Sequence, residues 1–175
     1  MPALFFRCAL ISESATIAAL VNTAYRGESS RQGWTTEADL LDGLRTTAAD
    51  VQQLIESEHS VILVCVSGDD LIASVCLEKK ADAAYIGMFV VNPTMQGSGI
   101  GKLLLTYAES YAVEQWSVSR FCMHVITQRD ALISFYERRG YRRTGVVKAF
   151  PVNPEMWQPK KTGLQFELLE KPVLS

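Results

Sequence analysis

The chain is poor in the residues that build metal and redox centres. Its 175 residues include only two histidines, His59 and His124, and four cysteines, Cys8, Cys65, Cys76 and Cys122, with no Cys-x-x-Cys pair. No metal site is expected from so thin a ligand set. Each cysteine sits among apolar neighbours, the setting of a small buried hydrophobe in a reducing cytoplasm rather than of a disulfide framework. Charge of one sign is not concentrated either. Seventeen Lys and Arg stand against nineteen Asp and Glu, for a formal net charge of −2, and no block of like charge occurs, so neither nucleic acid nor an anionic membrane is expected as a partner. No apolar run approaches membrane-spanning length. The opening "MPALFFRCALISES" has no basic leader or sustained apolar core, so no signal peptide is expected. Repeats, low-complexity tracts and dividing linkers are also lacking. What is present is a chain 48% hydrophobic and 21% charged, an ordinary composition for a globular protein, read here as one domain over residues 1–175.

Hydrophobic periodicity orders the chain as strand, helices, three strands, helix, strand, helix, two strands. "LFFRCAL" opens as a strand; Ser12 or Ser14 caps a helix from Ala15 to about Tyr25. "RGESSRQGW" is a glycine-punctuated loop. Thr35 or Thr36 is expected to cap a second helical segment through Leu44, and Asp50 a continuation, "VQQLIESE". "SVILVCV" and "LIASVCLE", joined by "SGDD", form a hairpin. The unbroken apolar run Ala84–Val91 suits an interior strand covered on both faces. "SRFCMHVIT" is a further strand, and "ALISFYERR" a helix with Asp130 as cap and Gly140 in the left-handed position that ends it. "YRRTGVVKAF" and "GLQFELLE" close the chain, separated by a proline-rich loop. The mixture of hairpins and helical crossovers gives a mixed α/β (α+β) class with helices on both faces of one sheet.

The most informative stretch is "QGSGIGK", Gln96–Lys102, between the apolar strand and an apolar-striped helix. A Walker loop needs G-x-x-x-x-G-K-[ST]; Gly97 to Gly101 is one residue short and Leu103 replaces the hydroxyl. A dinucleotide fingerprint needs a third glycine where Lys102 stands. The remaining pattern is Q-x-x-G-x-G. Alternate glycines let backbone N–H groups converge on a pyrophosphate, and the following helix adds unpaired N–H groups and the positive end of its dipole. A tight strand-to-helix turn with no ligand satisfies the same spacing.

Two blocks, "MFVVNPTMQGSGIGKLLLTYAE" and "SFYERRGY", resemble the signature regions of the GCN5-related N-acetyltransferase (GNAT) superfamily. The specific motifs cover about residues 84–141, and the order of strands and helices is similar over most of the chain. The resemblance implies a mostly antiparallel seven-stranded sheet and acetyl-CoA as acyl donor. It implies that the backbone of Phe89, Val90 and Val91 pairs with the pantetheine arm. Gln96, Gly97, Ser98, Gly99, Ile100, Gly101 and Lys102 would hold the pyrophosphate. It implies Tyr136 as the general acid for the leaving thiolate, although Leu132, Phe135 and Tyr136 also share a helix face as core residues would. His124, twelve residues earlier, stands where some relatives, notably the ribosomal-protein alanine N-acetyltransferases, carry a glutamate base; a half-buried structural histidine fits the alternation equally. Two positions depart from the pattern. Gly87 stands where many relatives have a carboxylate, and Arg129, seven residues before Tyr136, where many have a cofactor-contacting asparagine.

In the resembling fold the loop after the first helix forms one acceptor wall. Glu28, Trp34, Glu37 and Asp39 are candidates to hold a cationic amine, and Arg26 and Arg31 an anionic group; acids in a first helical turn are favoured for local reasons as well. The late loop Pro151–Thr162, with Trp157, Lys160 and Lys161, is a second wall, a lid or a homodimer contact. The leading expectation is a cytoplasmic acetyl-CoA-dependent N-acetyltransferase, acting on a small-molecule or peptide amine by direct transfer in a ternary complex. The rival is a non-catalytic acyl-CoA-binding sensor. An O- or S-acceptor and a longer acyl donor stay open.

Overall fold

A computed structural model describes residues 3–174. Among them lie nine strands: β1 (Leu4–Cys8), β2 (Leu41–Gly43), β3 (Ser60–Ser67), β4 (Asp70–Lys80), β5 (Ala83–Val91), β6 (Arg120–Ile126), β7 (Arg142–Ala149), β8 (Trp157–Pro159) and β9 (Gln165–Pro172). Four helices accompany them: α1 (Ser14–Tyr25), α2 (Ala48–Glu56), α3 (Ile100–Trp116) and α4 (Asp130–Glu137). Seven strands form one sheet in the order β1-β3-β4-β5-β6-β9-β7, while β2 and β8 pair separately. Every neighbouring pair in the large sheet is antiparallel except β5 and β6. The apolar run Ala84–Val91 is thus the middle strand of seven, as its continuous hydrophobicity implies.

Strand alternation sorts the core into two layers. Leu63, Cys65, Val75 and Leu77 point to the face covered by α3 and α4, where they meet Leu104, Leu105 and Ile133. Ile62, Val64 and Cys76 point the other way, onto Ile17 and Val21 of α1 and Val51 of α2. Helix α4 stops at Gly140, whose φ of +95° only glycine adopts freely, and the Arg139 guanidinium donates to the Phe135 carbonyl at 3.0 Å.

Five expectations are corrected. The segment Thr35–Leu44 is not a helix. It makes a single turn, with Leu41 N–H on the Glu37 carbonyl at 2.9 Å, and then becomes β2. Tertiary partners override its periodicity: Glu37 is drawn into a buried ion-pair cluster, described below, and Leu41–Gly43 pairs with Trp157–Pro159 inside the proline-rich loop. The cap of α2 is Thr47, which accepts from Asp50 N–H at 3.1 Å, so Asp50 is a first-turn residue. Cys8 is exposed rather than buried; the other three cysteines are buried and free. The first helix begins without a side-chain cap bond from Ser12 or Ser14, and Arg129 precedes α4 where Asp130 was expected as cap.

The β2–β8 clasp covers the otherwise open face of β6 and β9. Leu40 and Leu41 pack there with Ile126 and Leu164, beside Trp157 and Phe166, and Lys160 Nζ ties the loops together by donating to the Ala38 carbonyl at 2.8 Å. Gly43 is the narrow point. Its φ is +93°, and a Cβ there would collide with the Met156 carbonyl and lie 2.8 Å from Trp157 Cα. Gly43→Ala is expected to lower the unfolding free energy by about 1–3 kcal/mol, the usual cost of one strained backbone position. It should also make residues 150–163 more protease-sensitive. Urea denaturation and limited proteolysis measure both, and unchanged values would show that the clasp is not held at this point.

Candidate functional site

Strands β5 and β6 begin as a parallel pair and then part. Their register runs Ala83–Arg120, Ala84–Phe121 and Tyr85–Cys122 and goes no further. A bulge in β5 accompanies the separation: against β4, Cys76 faces Gly87 and Ser74 faces Val90, so Met88 and Phe89 share one partner position. Met88 takes φ +45° to do so, a conformation unusual for a non-glycine residue. The carbonyls of Phe89 and Val91 are on the gap side, where they accept from Tyr25 Oη at 3.5 Å and Gln96 Nε2 at 3.2 Å. Strand alternation puts the N–H groups of those two residues on the same side.

One cavity of about 480 Å³ opens on the α3 side of the gap. Phe89, Val90 and Val91 form its strand wall; Gln96, Gly97, Gly99, Gly101 and Lys102 form its floor, with Arg138 and Arg139 at the end of α4. Gly97 and Gly99 have φ +84° and +89°, and a Cβ on either would meet open space. Glycine is therefore required by backbone conformation, not by crowding. Gly99 is the N-cap of α3, so the first amides of a 17-residue helix are unpaired at the cavity floor. Ser98 and Ile100 are outside the lining. Ser98 Oγ donates to the Met95 carbonyl at 2.6 Å, and Ile100 is buried in the core. Trp34 lines this first cavity, 45% exposed, with its ring 5.6 Å from that of Phe135.

A second cavity of about 280 Å³ lies on the α1 side. Tyr136 and His124 both line it, and Tyr25, Phe89, Arg129 and Leu132 line both cavities. Tyr136 belongs to the α3/α4 core layer and is 5% exposed. It reaches the second cavity where the strands have separated. Among the described residues its hydroxyl has no protein hydrogen-bond partner, and it is not one of the fully buried unpaired atoms, which are Arg129 Nε and Arg139 Nε. Burial pushes the Tyr136 phenol far above its usual range, so it stays protonated at every physiological pH. The Tyr25 phenol is raised by burial too. His124 is half-buried, its ring stacked 5.9 Å from Tyr85 and tilted 6.0 Å from Phe166. Burial first, then the charges of Lys148 and Lys80, lowers its pKa, so the imidazole is neutral at pH 7.

Between the cavities runs a buried polar chain. Glu37 accepts from Arg26 Nε and Arg129 Nη1, each at 3.0 Å. Arg129 Nη2 continues to Thr35 Oγ1 at 2.6 Å; Thr35 N–H donates to Gln96 Oε1 at 3.4 Å, and Gln96 returns to Val91. The guanidinium of Arg129 also lies 5.6 Å from the Tyr25 ring. Arg129 Nε is buried without a partner among the described residues. Glu37 therefore lines the second cavity with its charge already committed. Glu28 and Asp39 lie outside both cavities, exposed and paired with Arg31 at 3.0 and 2.7 Å.

Several lining residues escaped the sequence. Tyr25 is in the shared wall, though the loop pattern suggests only packing for it. Gly33, outside both linings, carries no motif either, yet a Cβ there would collide with the side chain of Gln96, a lining residue. Arg45, Lys80 and Lys148 line the second cavity from three separate elements, and no local pattern joins them. Trp157, on β8 within the late loop, is in that wall, in keeping with the sequence reading of this loop as a second wall.

The polar chain predicts a large mutational effect. Glu37→Gln would leave two buried guanidinium groups without their counter-charge. Removing one member of a buried ion pair costs roughly 3–5 kcal/mol, and a loss of that size is expected in urea denaturation. A loss below about 1 kcal/mol, the range of exposed pairs, would show that solvent already screens the cluster.

The model of the acetyltransferase (GNAT) family matches residues 21–141. An N-acetyltransferase 9-like protein of Caenorhabditis briggsae is 25% identical over 75 residues, covering 42% of this chain and 38% of that protein. The chain thus matches well under half the length of that relative. Solved structures share the fold at low identity. A GNAT-family acetyltransferase from Streptococcus pneumoniae has TM-score 0.70 and 17% identity, with 98% of this chain and 100% of that one covered. A ribosomal-protein alanine N-acetyltransferase from Escherichia coli has TM-score 0.71 and 12% identity, covering 99% and 96%. A spermidine N-acetyltransferase from Vibrio cholerae, solved with CoA and spermine, has TM-score 0.70 and 16% identity, covering 97% and 95%. With the parted central strands and the glycine turn, the family match over residues 21–141 identifies the chain as a member of the acetyltransferase (GNAT) family.

Proposed function

We propose that this protein is an acetyl-CoA-dependent N-acetyltransferase, one catalytic domain that transfers acetyl directly to a primary amine in a ternary complex. The observation that carries the reading is a pair of cavities meeting at one gap between β5 and β6. One has the features of an acyl-CoA cleft; the other holds Tyr136 and His124. A cytoplasmic setting fits the three buried free thiols, and no helix among the described residues is long and apolar enough to cross a membrane.

The first cavity fits the donor by its own geometry. Gly97 and Gly99 line the floor without side chains, the α3 amides supply unpaired donors, and Lys102, Arg138 and Arg139 supply cations for phosphate. The Phe89 and Val91 N–H groups are available to an extended amide-bearing arm lying in the gap, in the manner of an added strand. Bound acetyl-CoA supplies an activated thioester, whose C–S bond breaks as the acceptor nitrogen forms its C–N bond, leaving one amide and one thiol.

The second cavity supplies the proton steps. An amine of ordinary lysine pKa is mostly protonated at pH 7, and its deprotonation costs about 4.6 kcal/mol. His124 is neutral there and able to take the amine proton, directly or through a water. Tyr136 keeps its proton until a thiolate forms beside it, then donates. Arg129 spans both cavities as a positioning residue, holding the acceptor loop through Glu37 and Thr35.

Thiol release from acetyl-CoA with a panel of amines tests the reading. Tyr136→Phe keeps the ring and removes only the hydroxyl; a fall in kcat of roughly 10²–10⁴ is expected, with donor affinity little changed. A kcat within a few-fold of wild type in single-turnover kinetics would remove Tyr136 as the acid. Binding of acetyl-CoA with no turnover of any amine would favour a non-catalytic sensor.

The depressed pKa of His124 fixes where its pH effect falls. The active form is the neutral base, so kcat/KM should be lost as pH drops through a pKa below the ordinary histidine value of about 6.5. His124→Gln should remove or displace that acidic limb. The same limb in both proteins would exclude His124 as the base.

A further inference from the structure

The second cavity is unevenly charged. Arg26, Arg45, Lys80, Arg129 and Lys148 line it against only Glu37 and Glu78. Glu37 is taken by Arg26 and Arg129. Among the described residues Arg45, Lys80 and Lys148 have no carboxylate within 4.0 Å: the ion pairs present involve other groups. Their nearest recorded neighbours are rings. Arg45 lies 5.5 Å from Tyr25, Lys80 4.9 Å from Tyr85 and Lys148 6.0 Å from Phe166. The two lysines stand on either side of His124 across the sheet, Lys80 from β4 and Lys148 from β7, and both are exposed; Tyr136, in the same lining, is buried.

We propose that the acceptor is a small amine that carries a carboxylate, as an amino acid does. Its acid would be held at the rim by Lys148, Lys80 and Arg45, with its amine directed inward to Tyr136. This inference rests on the acetyl-transfer reading above and narrows it. A volume near 280 Å³ lies at the small end of ligand sites, about 300–1,000 Å³, and suits a single small molecule. A polyamine would bring several positive charges to a wall that already carries a surplus of them. The same surplus serves the chemistry. Nearby cations disfavour the ammonium form of the acceptor, so a neutral nucleophile is obtained although Gly87 offers no carboxylate base. The cavity has one uncommitted acid, Glu78; a carboxylate ligand supplies the missing counter-charge.

The test uses the full chain with the twenty amino acids, their carboxamides and spermidine. Thiol release from acetyl-CoA is measured first, and binding of each to the CoA-loaded protein by calorimetry second. At least one amino acid is expected to exceed both its own carboxamide and spermidine by tenfold or more in kcat/KM. Lys148→Glu combined with Lys80→Glu should lower that acid-to-amide ratio at least tenfold. Circular dichroism confirms that these exposed substitutions leave the fold intact. Carboxamides or spermidine turned over as well as any acid would overturn the inference and leave acetyl transfer standing. No turnover, but tenfold tighter binding of an acid than of its amide, would support the site and overturn the transfer reading. Neither turnover nor acid-selective binding would overturn both.

Discussion

The separation of β5 from β6 is the constraint on which everything else in this protein depends. Two parallel strands in the middle of a sheet would ordinarily stay paired along their whole length, because a buried N–H or C=O without a partner is costly. Here pairing ends at Tyr85 and Cys122, and the bulge at Met88 and Phe89 turns β5 aside. The sheet gives up several main-chain hydrogen bonds at its centre and gains a slot open from both faces. Side chains cover part of the deficit, with Tyr25 at the Phe89 carbonyl and Gln96 at the Val91 carbonyl. The amides of Phe89 and Val91 face the same gap. The slot also lets Tyr136, carried in the core layer of one face, line the cavity on the other.

Electrostatics then differentiates the two mouths. On the α3 side the field comes from helix amides, Lys102 and the guanidinium groups of α4, an arrangement for phosphate. On the α1 side Glu37 neutralises two arginines and fixes the loop carrying Thr35, which in turn fixes Gln96 beneath the glycine turn. The walls of the two cavities are therefore one hydrogen-bonded structure running through Glu37, Arg129, Thr35 and Gln96. Burial first, and then the positive charges of Lys148 and Lys80, keeps the His124 imidazole neutral.

Much of this was legible in the sequence for identifiable reasons. The unbroken run Ala84–Val91 announced a central strand, because only a strand buried on both faces is apolar at every position. The turn Gln96–Lys102 announced its own geometry, since Gly97 and Gly99 both need left-handed φ. Gly140 likewise marked the end of α4. The segment Thr35–Leu44 was misread because helical periodicity is a local signal. Its fate is set by Arg129, 92 residues beyond Glu37 in sequence, and by β8. Glu37, Glu28 and Asp39 look alike as acids in one polar loop; only tertiary structure separates the buried, committed one from the two exposed ones. Three cations of the second cavity were invisible for a similar reason, since Arg45, Lys80 and Lys148 come together only when the loop between β2 and α2 is assembled with β4 and β7.

The central claim is that the slot between β5 and β6, floored by the glycine turn, is the acyl-CoA site. Calorimetric titration of acetyl-CoA into wild type and Gly99→Asp tests it most directly. A Cβ at Gly99 meets no atom within 4 Å, and Asp tolerates left-handed φ better than most residues, so the variant should remain folded while placing a negative charge where phosphate must sit. The account requires saturable binding to wild type and binding at least tenfold weaker in the folded variant. Equal affinity in the two proteins would contradict it.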